Sequence, residues 1–214
     1  MILKRKTGEW TKMSRHSRPD EKDGFLNVPF DAGYERNLVA LIASLTALGQ
    51  IPHCVLEVPE LGSGRLRRLL KLLESCRTSI HDLSRAGVPV RFNMPFELGL
   101  ACALAEYRKP HSYFIMEKER YRVDRTLSDL KSQDPLIHQN SPKRIVSGVI
   151  SALRSKSQSP DPKEVYKNFR KLLVIAEELK RDYGENTIFS RAIFSDLVLA
   201  GTRLAIAAGH IKKM

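Results

Sequence analysis

Four side chains suited to acid–base or anion-binding chemistry lie in the first half of the chain. They are the carboxylates of Asp31, Asp82 and Glu97 and the guanidinium of Arg65. Each falls where a predicted strand ends or where a predicted helix begins. Carboxylates that converge near an arginine can serve as nucleophile, general acid or general base. We therefore expect these four residues to meet in one site.

Glu97 has the most informative surroundings. It follows Phe-Asn-Met-Pro-Phe and precedes Leu-Gly-Leu-Ala, the start of a helix made of small and apolar residues. A carboxylate in the first turn of such a helix is half-buried, and the helix N-terminus favours its anionic form. The alternative is a capping carboxylate. The motif context favours a functional role for Glu97.

The other candidates each have a structural alternative. Asp82 and Ser84 follow an apolar strand. For Asp82 a turn cap is as well supported as a functional role, and for Ser84 a turn cap is favoured over a functional role. Arg65 follows Gly-Ser-Gly, which would let a phosphate approach backbone amides, although this is neither a P-loop nor GxGxxG. Further candidate ligand-binding residues at the same sheet edge are Asn27, Phe30, Tyr34 and Asn93, with core packing the favoured alternative for Phe30.

The elements that must position these residues alternate between strands and helices. Apolar runs predict strands at residues 24–30, 53–58, 78–84 and 111–117. Helical spacing predicts helices at residues 34–48, 65–76, 96–107 and 142–153. This alternation is typical of an α/β fold with an open parallel sheet covered by helices. Ligands of such sheets bind beyond the carboxyl ends of the strands, where the candidate residues fall.

Composition divides the chain into four segments. We predict a disordered basic tail at 1–22, an α/β domain at 23–154, a linker at 155–162 and a C-terminal helical hairpin at 163–214. The hairpin would pack on the domain or on another copy of it, and a homo-oligomer formed through these C-terminal helices is expected.

Charge and cysteine content limit the class of protein. The chain of 214 residues has a formal net charge of +12, carried mainly by its two ends. Binding of nucleic acid through those ends is possible but not favoured, because no zinc finger or RNA-binding motif accompanies them.

Three widely spaced cysteines, without a CxxC pair, indicate a reducing compartment. With no apolar run of the ~20 residues that a membrane span requires, a cytoplasmic protein is predicted. Metal-binding motifs are also absent, so no metal is expected.

Two motifs resemble a known family. Asp82-Leu-Ser84 matches a D-x-S motif at the end of a strand, and Asn93-Met-Pro-Phe-Glu97-Leu-Gly99-Leu-Ala101 matches N-V-x-x-E-x-G-x-A. Together with Asn-Val-Pro-Phe-Asp in the first strand, they resemble the nucleoside deoxyribosyltransferase-like group and its relatives among Toll/interleukin receptor (TIR)-like domains. The likeness covers roughly residues 24–117.

The resemblance implies a flavodoxin-like or TIR-like three-layer fold and chemistry at an N-glycosidic bond. It implies that Glu97 attacks or shields the anomeric carbon, that Asp82 contacts base or ribose, and that Asp31 lies near the sugar or protonates the leaving base. The ligand would be a nucleoside, a nucleotide or NAD, the last as substrate and not as cofactor. The alternative is a non-catalytic nucleotide-binding or scaffold module of the TIR-like type.

Overall fold

The structure is a computed structural model that describes residues 20–58, 64–85, 92–107, 111–130, 133–153 and 159–212. Its strands are β1 (Asp20–Asn27), β2 (Ile51–Cys54), β3 (Cys76–Asp82), β4 (Ser112–Glu117) and β5 (Leu136–Ile137). Its helices are α1 (Glu35–Ala47), α2 (Arg65–Ser75), α3 (Asn93–Tyr107), α4 (Arg122–Thr126), α5 (Pro142–Ala152), α6 (Pro162–Tyr183) and α7 (Arg191–Ala207).

The described strands form one parallel sheet in the order β2-β1-β3-β4-β5. This is the flavodoxin-like order, in which β1 and β3 lie side by side at the centre. Asn27 is paired with His81, so the last residues of both central strands reach the same edge of the sheet. The predicted α/β fold with an open parallel sheet and C-terminal helices is confirmed.

Alternating residues of the central strands face two different helical layers, as the two-residue period of a strand requires. Leu26 packs in a core with residues of α1, α5, α6 and α7. Phe25 packs on the other face with residues of α2 and α3. Helices therefore cover both faces of the sheet, and the C-terminal pair adds an outer layer on the α1 face.

Helix α1 is enclosed between the sheet and the C-terminal helices. Every residue from Asn37 to Ala47 is buried, which is expected of a helix that is apolar all round. Helix α7 approaches α1 closely at Gly201, where a Cβ atom would lie 3.0 Å from Thr46 Oγ1. The hairpin thus packs directly on the α/β domain, one of the two arrangements expected from the sequence.

Local signals in the sequence define the hairpin. Asp161 caps α6 by accepting a hydrogen bond of 2.9 Å from the amide of Lys163. Gly184 ends α6 in the left-handed conformation (φ 65°) that a glycine C-cap provides. Polar contacts then fix the hairpin to α1, because Glu35 accepts hydrogen bonds from Lys180 Nζ (3.2 Å) and from the amide of Ile188 (3.1 Å).

The structure corrects several predicted boundaries. Strand β2 ends at Cys54 and not at Val58, because the Glu57 carboxylate accepts the Cys54 amide hydrogen bond (3.0 Å) and begins a 3-10 turn. Strand β5 was not predicted, since two residues are too few to show periodicity. Strand β1 begins at Asp20, so the predicted disordered tail is wrong for residues 20–22. The rest of that tail and most of the predicted linker lie outside the described residues.

Among the described residues, every helix is too short or too polar to cross a lipid bilayer. The same residues hold no group of three or more His, Cys, Asp or Glu side chains arranged around a possible metal ion.

Candidate functional site

The carboxyl edge of the sheet opens between its two central strands. The chain leaves β1 toward β2 on one side and leaves β3 toward β4 on the other. Such a reversal of strand order leaves a crevice in which open α/β sheets bind their ligands. Asn27, at the end of β1, and Asp82, at the end of β3, flank this reversal.

A cavity of about 410 Å³ lies at this edge, and we call it the Glu97 cavity. Five of the residues predicted from the sequence line it: Asn27, Phe30, Arg65, Asn93 and Glu97. The other described lining residues are Val28, Val55, Phe92 and Met94. The ends of β1 and β2 and the first turns of α2 and α3 therefore deliver polar and aromatic groups to one space. Its volume lies within the range usual for small-molecule sites.

Glu97 is half-buried in the wall of this cavity. Helix α3 begins at Asn93 and not at Phe96, so the expected first-turn position of Glu97 is wrong: it stands in the second turn, where the capping alternative does not apply. Burial raises the pKa of Glu97 to about 7, while the nearby Arg65 guanidinium acts in the opposite direction. A carboxyl group that titrates near neutral pH can donate a proton in its neutral form, and can accept a proton or act as a nucleophile in its ionised form.

Arg65 lines the same cavity and supplies it with an exposed positive charge. It is the first residue of α2, and the preceding Gly64 has a left-handed conformation (φ 97°) that favours glycine. A guanidinium at a helix start suits an anionic ligand group such as a phosphate or a carboxylate. The rest of the Gly-Ser-Gly stretch lies outside the described residues.

Aromatic surface borders the cavity on the α3 side. Phe92 lines it and is 76% exposed, and Phe96 is 52% exposed one turn later. Phe30 differs, because its ring packs edge-on against Phe189 with 5.6 Å between centroids. Phe92 was not among the predicted site residues. Nothing in the sequence separates it from the core phenylalanines, and only its exposure does so.

A second polar group of residues, which we call the Asp82 cluster, lies at the ends of β3 and β5. Asp82 is fully buried and accepts hydrogen bonds from the hydroxyls of Tyr34 and Ser84. His138 Nε2 lies 3.1 Å from Asp82 Oδ2, and the amide of Asn140 donates to His138 Nδ1 (3.1 Å), so the proton of His138 is on Nε2.

Electrostatics keeps the Asp82 carboxylate ionised despite its burial. Burial alone would raise its pKa, but the bonds from His138, Ser84 and Tyr34 outweigh burial and lower the pKa below its usual value. Burial and the neighbouring Asp82 charge raise the pKa of Tyr34 well above its usual value. Ser84 and His138 both donate toward one carboxylate, which differs from a Ser–His–Asp relay, where the histidine lies between the other two.

A buried glutamate adjoins this cluster at the end of β4. Glu117 is 1% exposed and accepts a hydrogen bond of 2.9 Å from the amide of Lys118. Arg122 Nη1 lies 3.6 Å from Glu117 Oε1 and donates to the carbonyl of Ser84 (2.8 Å). Burial raises the pKa of Glu117. Arg122 therefore ties the end of β4 to the turn after β3.

Asp31 belongs neither to the lining of the Glu97 cavity nor to the Asp82 cluster. It pairs with Arg85 at 2.8 Å, and this pair covers Gly33, where a Cβ atom would lie 2.8 Å from the Arg85 guanidinium. The expected convergence of three carboxylates is thus not seen among the described residues. Glu97 lines the cavity, Asp82 is buried with Tyr34 and Ser84, and Asp31 is paired with Arg85.

The loops that follow β4 and β5 hold three non-glycine residues with positive φ: Tyr121 (62°), Gln139 (51°) and Asn140 (56°). Asn140 is secured by a hydrogen bond of 2.8 Å from Asn37 on α1. Left-handed backbone at non-glycine residues is uncommon and concentrates at functional sites. His138, Gln139 and Asn140 follow β5 and were missed from the sequence because β5 was missed.

Comparison of the chain with protein-family models, with curated proteins and with solved structures found no match in any of the three. The fold and the site geometry define an α/β protein with a polar and aromatic cavity at the carboxyl edge of its sheet. The likeness to the deoxyribosyltransferase and TIR-like group therefore depends on the two sequence motifs.

Proposed function

We propose that the protein cleaves or transfers at an N-glycosidic bond of a nucleoside, a nucleotide or NAD, with Glu97 as the reacting carboxylate. The observation that carries this proposal is a half-buried glutamate with a pKa near 7 in a cavity that also holds an exposed aromatic ring and a guanidinium. The Asp-x-Ser and Asn-x-x-x-Glu motifs support the same chemistry.

Each lining group matches one part of a nucleotide. The exposed ring of Phe92 can stack on a base. The guanidinium of Arg65 can bind a phosphate in a bidentate manner. Asn27 and Asn93 carry amides that can bind sugar hydroxyls or the edge of the base. These groups would hold the anomeric carbon near the Glu97 carboxylate.

The proposed reaction has two steps. A Glu97 oxygen attacks C1′, the bond from C1′ to the base nitrogen breaks, and the electron pair leaves with the base. A neutral base needs a proton from solvent or from an acid, whereas nicotinamide leaves NAD without one because its ring nitrogen is already cationic. Water, or a ring nitrogen of a second base, then attacks C1′ and loses its proton to solvent, while the bond from C1′ to Glu97 breaks and restores the carboxylate.

Asp82 and Asp31 enter this proposal with changed roles. Both are already bonded to protein groups, Asp82 to Tyr34 and Ser84 and Asp31 to Arg85. We assign them to positioning the turns that follow β1 and β3, not to direct contact with the base.

A nucleotide-binding module without turnover is the second candidate. It is favoured by one feature, which is that Glu97 is the only carboxylate among the described lining residues of the cavity. A second carboxylate that could protonate a leaving base is not among those residues. Binding through Phe92 and Arg65 would not require one.

The test is to incubate purified protein with NAD and a panel of nucleosides and nucleotides and to measure released base by chromatography. We expect release by the wild type, loss of release in Glu97→Gln, and unchanged release in Glu106→Gln, which alters an exposed glutamate near the other end of α3. Ligand binding without release by the wild type would establish the binding module instead.

A further inference from the structure

A chain of hydrogen bonds runs from the Glu97 cavity into the core of the sheet. It begins at Asn27, which is 4% exposed and lines the cavity. It continues through His81 and Ser79 on β3 and ends at His111, just before β4. The functional assignment above uses none of its interior members.

The cavity end of this chain fixes the orientation of the Asn27 amide. Asn27 Nδ2 donates 2.9 Å to the carbonyl of Met94 and lies 3.0 Å from His81 Nδ1. A carbonyl can only accept, so the amide nitrogen must face Met94. Its second hydrogen then points to His81 Nδ1, which must be the unprotonated nitrogen of that ring.

The core end of the chain requires the same direction. His111 Nδ1 lies 3.0 Å from the carbonyl of Cys76 and must donate to it. His111 Nε2 is then an acceptor, and Ser79 Oγ donates to it over 3.0 Å. Ser79 Oγ in turn accepts from His81 Nε2 at 2.9 Å.

Both ends therefore demand one pattern, in which His81 is protonated on Nε2 and His111 on Nδ1. Burial keeps the two rings neutral, because it lowers the pKa of His81 to about 3 and lowers that of His111. Reversing the Asn27 amide would place its oxygen against the Met94 carbonyl and would leave buried groups unpaired, which is costly.

We propose that this chain holds Asn27 Oδ1 toward the Glu97 cavity as a fixed hydrogen-bond acceptor, so that the ligand must present a donor at that point. Within the described residues Oδ1 has no hydrogen-bond partner, since both bonds of the side chain use Nδ2. The donor is a hydroxyl of the sugar or an exocyclic amino group of the base, a choice that rests on the proposed function. Asn27 is then a specificity-determining residue, and His81 and Ser79 are positioning residues.

The orientation can be tested without any ligand. In protein labelled with ¹⁵N-histidine, the ring nitrogen shifts distinguish the two neutral tautomers, and His111→Gln assigns the signals. We expect His81 as the Nε2–H form and His111 as the Nδ1–H form. Ser79→Ala should disturb both signals, while Ser44→Ala, at a buried serine bonded to its own helix, should leave them unchanged. A proton on His81 Nδ1 would place the Asn27 oxygen against His81 and overturn the proposal.

The ligand donor is identified by a binding cycle. The cycle compares AMP with 2′-deoxy-AMP, 3′-deoxy-AMP and purine riboside 5′-monophosphate, each of which lacks one donor group of AMP, and Asn27→Leu removes the acceptor at similar volume. One deletion should weaken binding to the wild type by roughly tenfold or more and have no effect in Asn27→Leu. If removal of a sugar hydroxyl weakens binding, the donor is that hydroxyl. If removal of the amino group weakens binding, the donor is the exocyclic amino group of the base.

These results separate the two proposals. Binding with the expected selectivity but without base release would contradict the proposed enzyme and leave the fixed acceptor in place. Equal penalties in wild type and Asn27→Leu for every deletion would overturn the acceptor even in an active enzyme. If the wild type binds none of the four nucleotides, the acceptor in the form proposed here is wrong, and the base-release panel still decides the proposed enzyme separately.

Discussion

The Glu97 carboxylate lies where burial makes its ionised form unfavourable. The cavity wall buries it enough to bring its pKa to about 7, and Arg65 only partly compensates. Residues that weaken the fold for the sake of a site are a common sign of function. The cost of the Glu97 charge can therefore be measured separately from its chemistry.

Replacing Glu97 with Gln should stabilise the protein above neutral pH. The folded-state pKa is higher than the ordinary value, so the stability associated with the protonated form is fully present below about pH 4.5 and is lost as pH rises through about 7. Glu97→Gln removes this loss and should gain on the order of 3 kcal/mol at pH 8, since the pKa rises from 4.5 to about 7 and one pKa unit corresponds to about 1.4 kcal/mol. Urea unfolding at pH 5 and pH 8 measures the effect. A Glu97→Gln protein less stable than wild type at pH 8 would show that the carboxylate serves the fold.

The Asp82 cluster makes the opposite prediction, because its carboxylate stabilises the fold. Tyr34→Phe removes one donor from a buried anion and should cost about 1.5–3 kcal/mol in the free energy of unfolding. Tyr183→Phe removes a similar bond, to Asp196, at an exposed position and should cost less than about 0.5 kcal/mol. Equal losses in chemical denaturation would mean that Tyr34 does not support Asp82.

At the residue scale, the sequence predicted which residues line the cavity better than it predicted which side chains contact one another. Asn27, Arg65 and Glu97 were assigned to one site because each follows a strand or begins a helix at the same sheet edge, and they line one cavity. Asp82 was grouped with them for the same reason. Its actual partner, His138, is 56 positions further along the chain, in a loop for which no local pattern gives a location.

Elements with a clear period were predictable, and short elements were not. Helix α2 is predicted within one residue of its observed end because Leu66, Leu69 and Leu73 repeat at helical spacing. Strand β2 was misplaced because an apolar run continues beyond Cys54, and only the Glu57 side chain ends the strand there. Strand β5 is held by pairing with Met116 and Glu117, a tertiary contact with no sequence pattern.

The close packing of α7 on α1 can be tested by replacing one glycine in each of two helices with alanine. Gly201→Ala would put a methyl group 3.0 Å from Thr46 Oγ1 on α1 and should lower the free energy of unfolding by about 1–3 kcal/mol. Gly99→Ala meets no atom within 4 Å and should raise it by about 0.5–1 kcal/mol, because alanine favours helix. Thermal denaturation of both variants is the measurement. A stabilised Gly201→Ala protein would mean that α7 and α1 do not pack this closely.

The whole molecule depends on the C-terminal helices as a layer of its core. Phe169, Leu172 and Phe194 are buried with residues of α1 in one cluster. The predicted homo-oligomer stays a prediction. It would have to use the outer side of the hairpin, where Val174 is 60% and Leu199 is 49% exposed.

Removing residues 159–214 should therefore prevent stable folding of the rest of the chain. The truncated protein would expose the apolar side of α1 that Phe169 and Phe194 cover. We expect it to bind a hydrophobic dye and to lack a cooperative thermal transition. Cooperative unfolding near the wild-type temperature would instead define the α/β part as an independent domain.

The measurement that tests the central claim most directly is the rate of base release as a function of pH, with the best substrate of the panel, for wild type, Glu97→Gln and Glu106→Gln. A nucleophilic Glu97 must be ionised, so the wild-type rate should rise with pH, reach half its maximum near pH 7 and then level off. Glu106→Gln should follow the same curve, and Glu97→Gln should show no release at any pH. Release by Glu97→Gln at the wild-type rate would contradict the account.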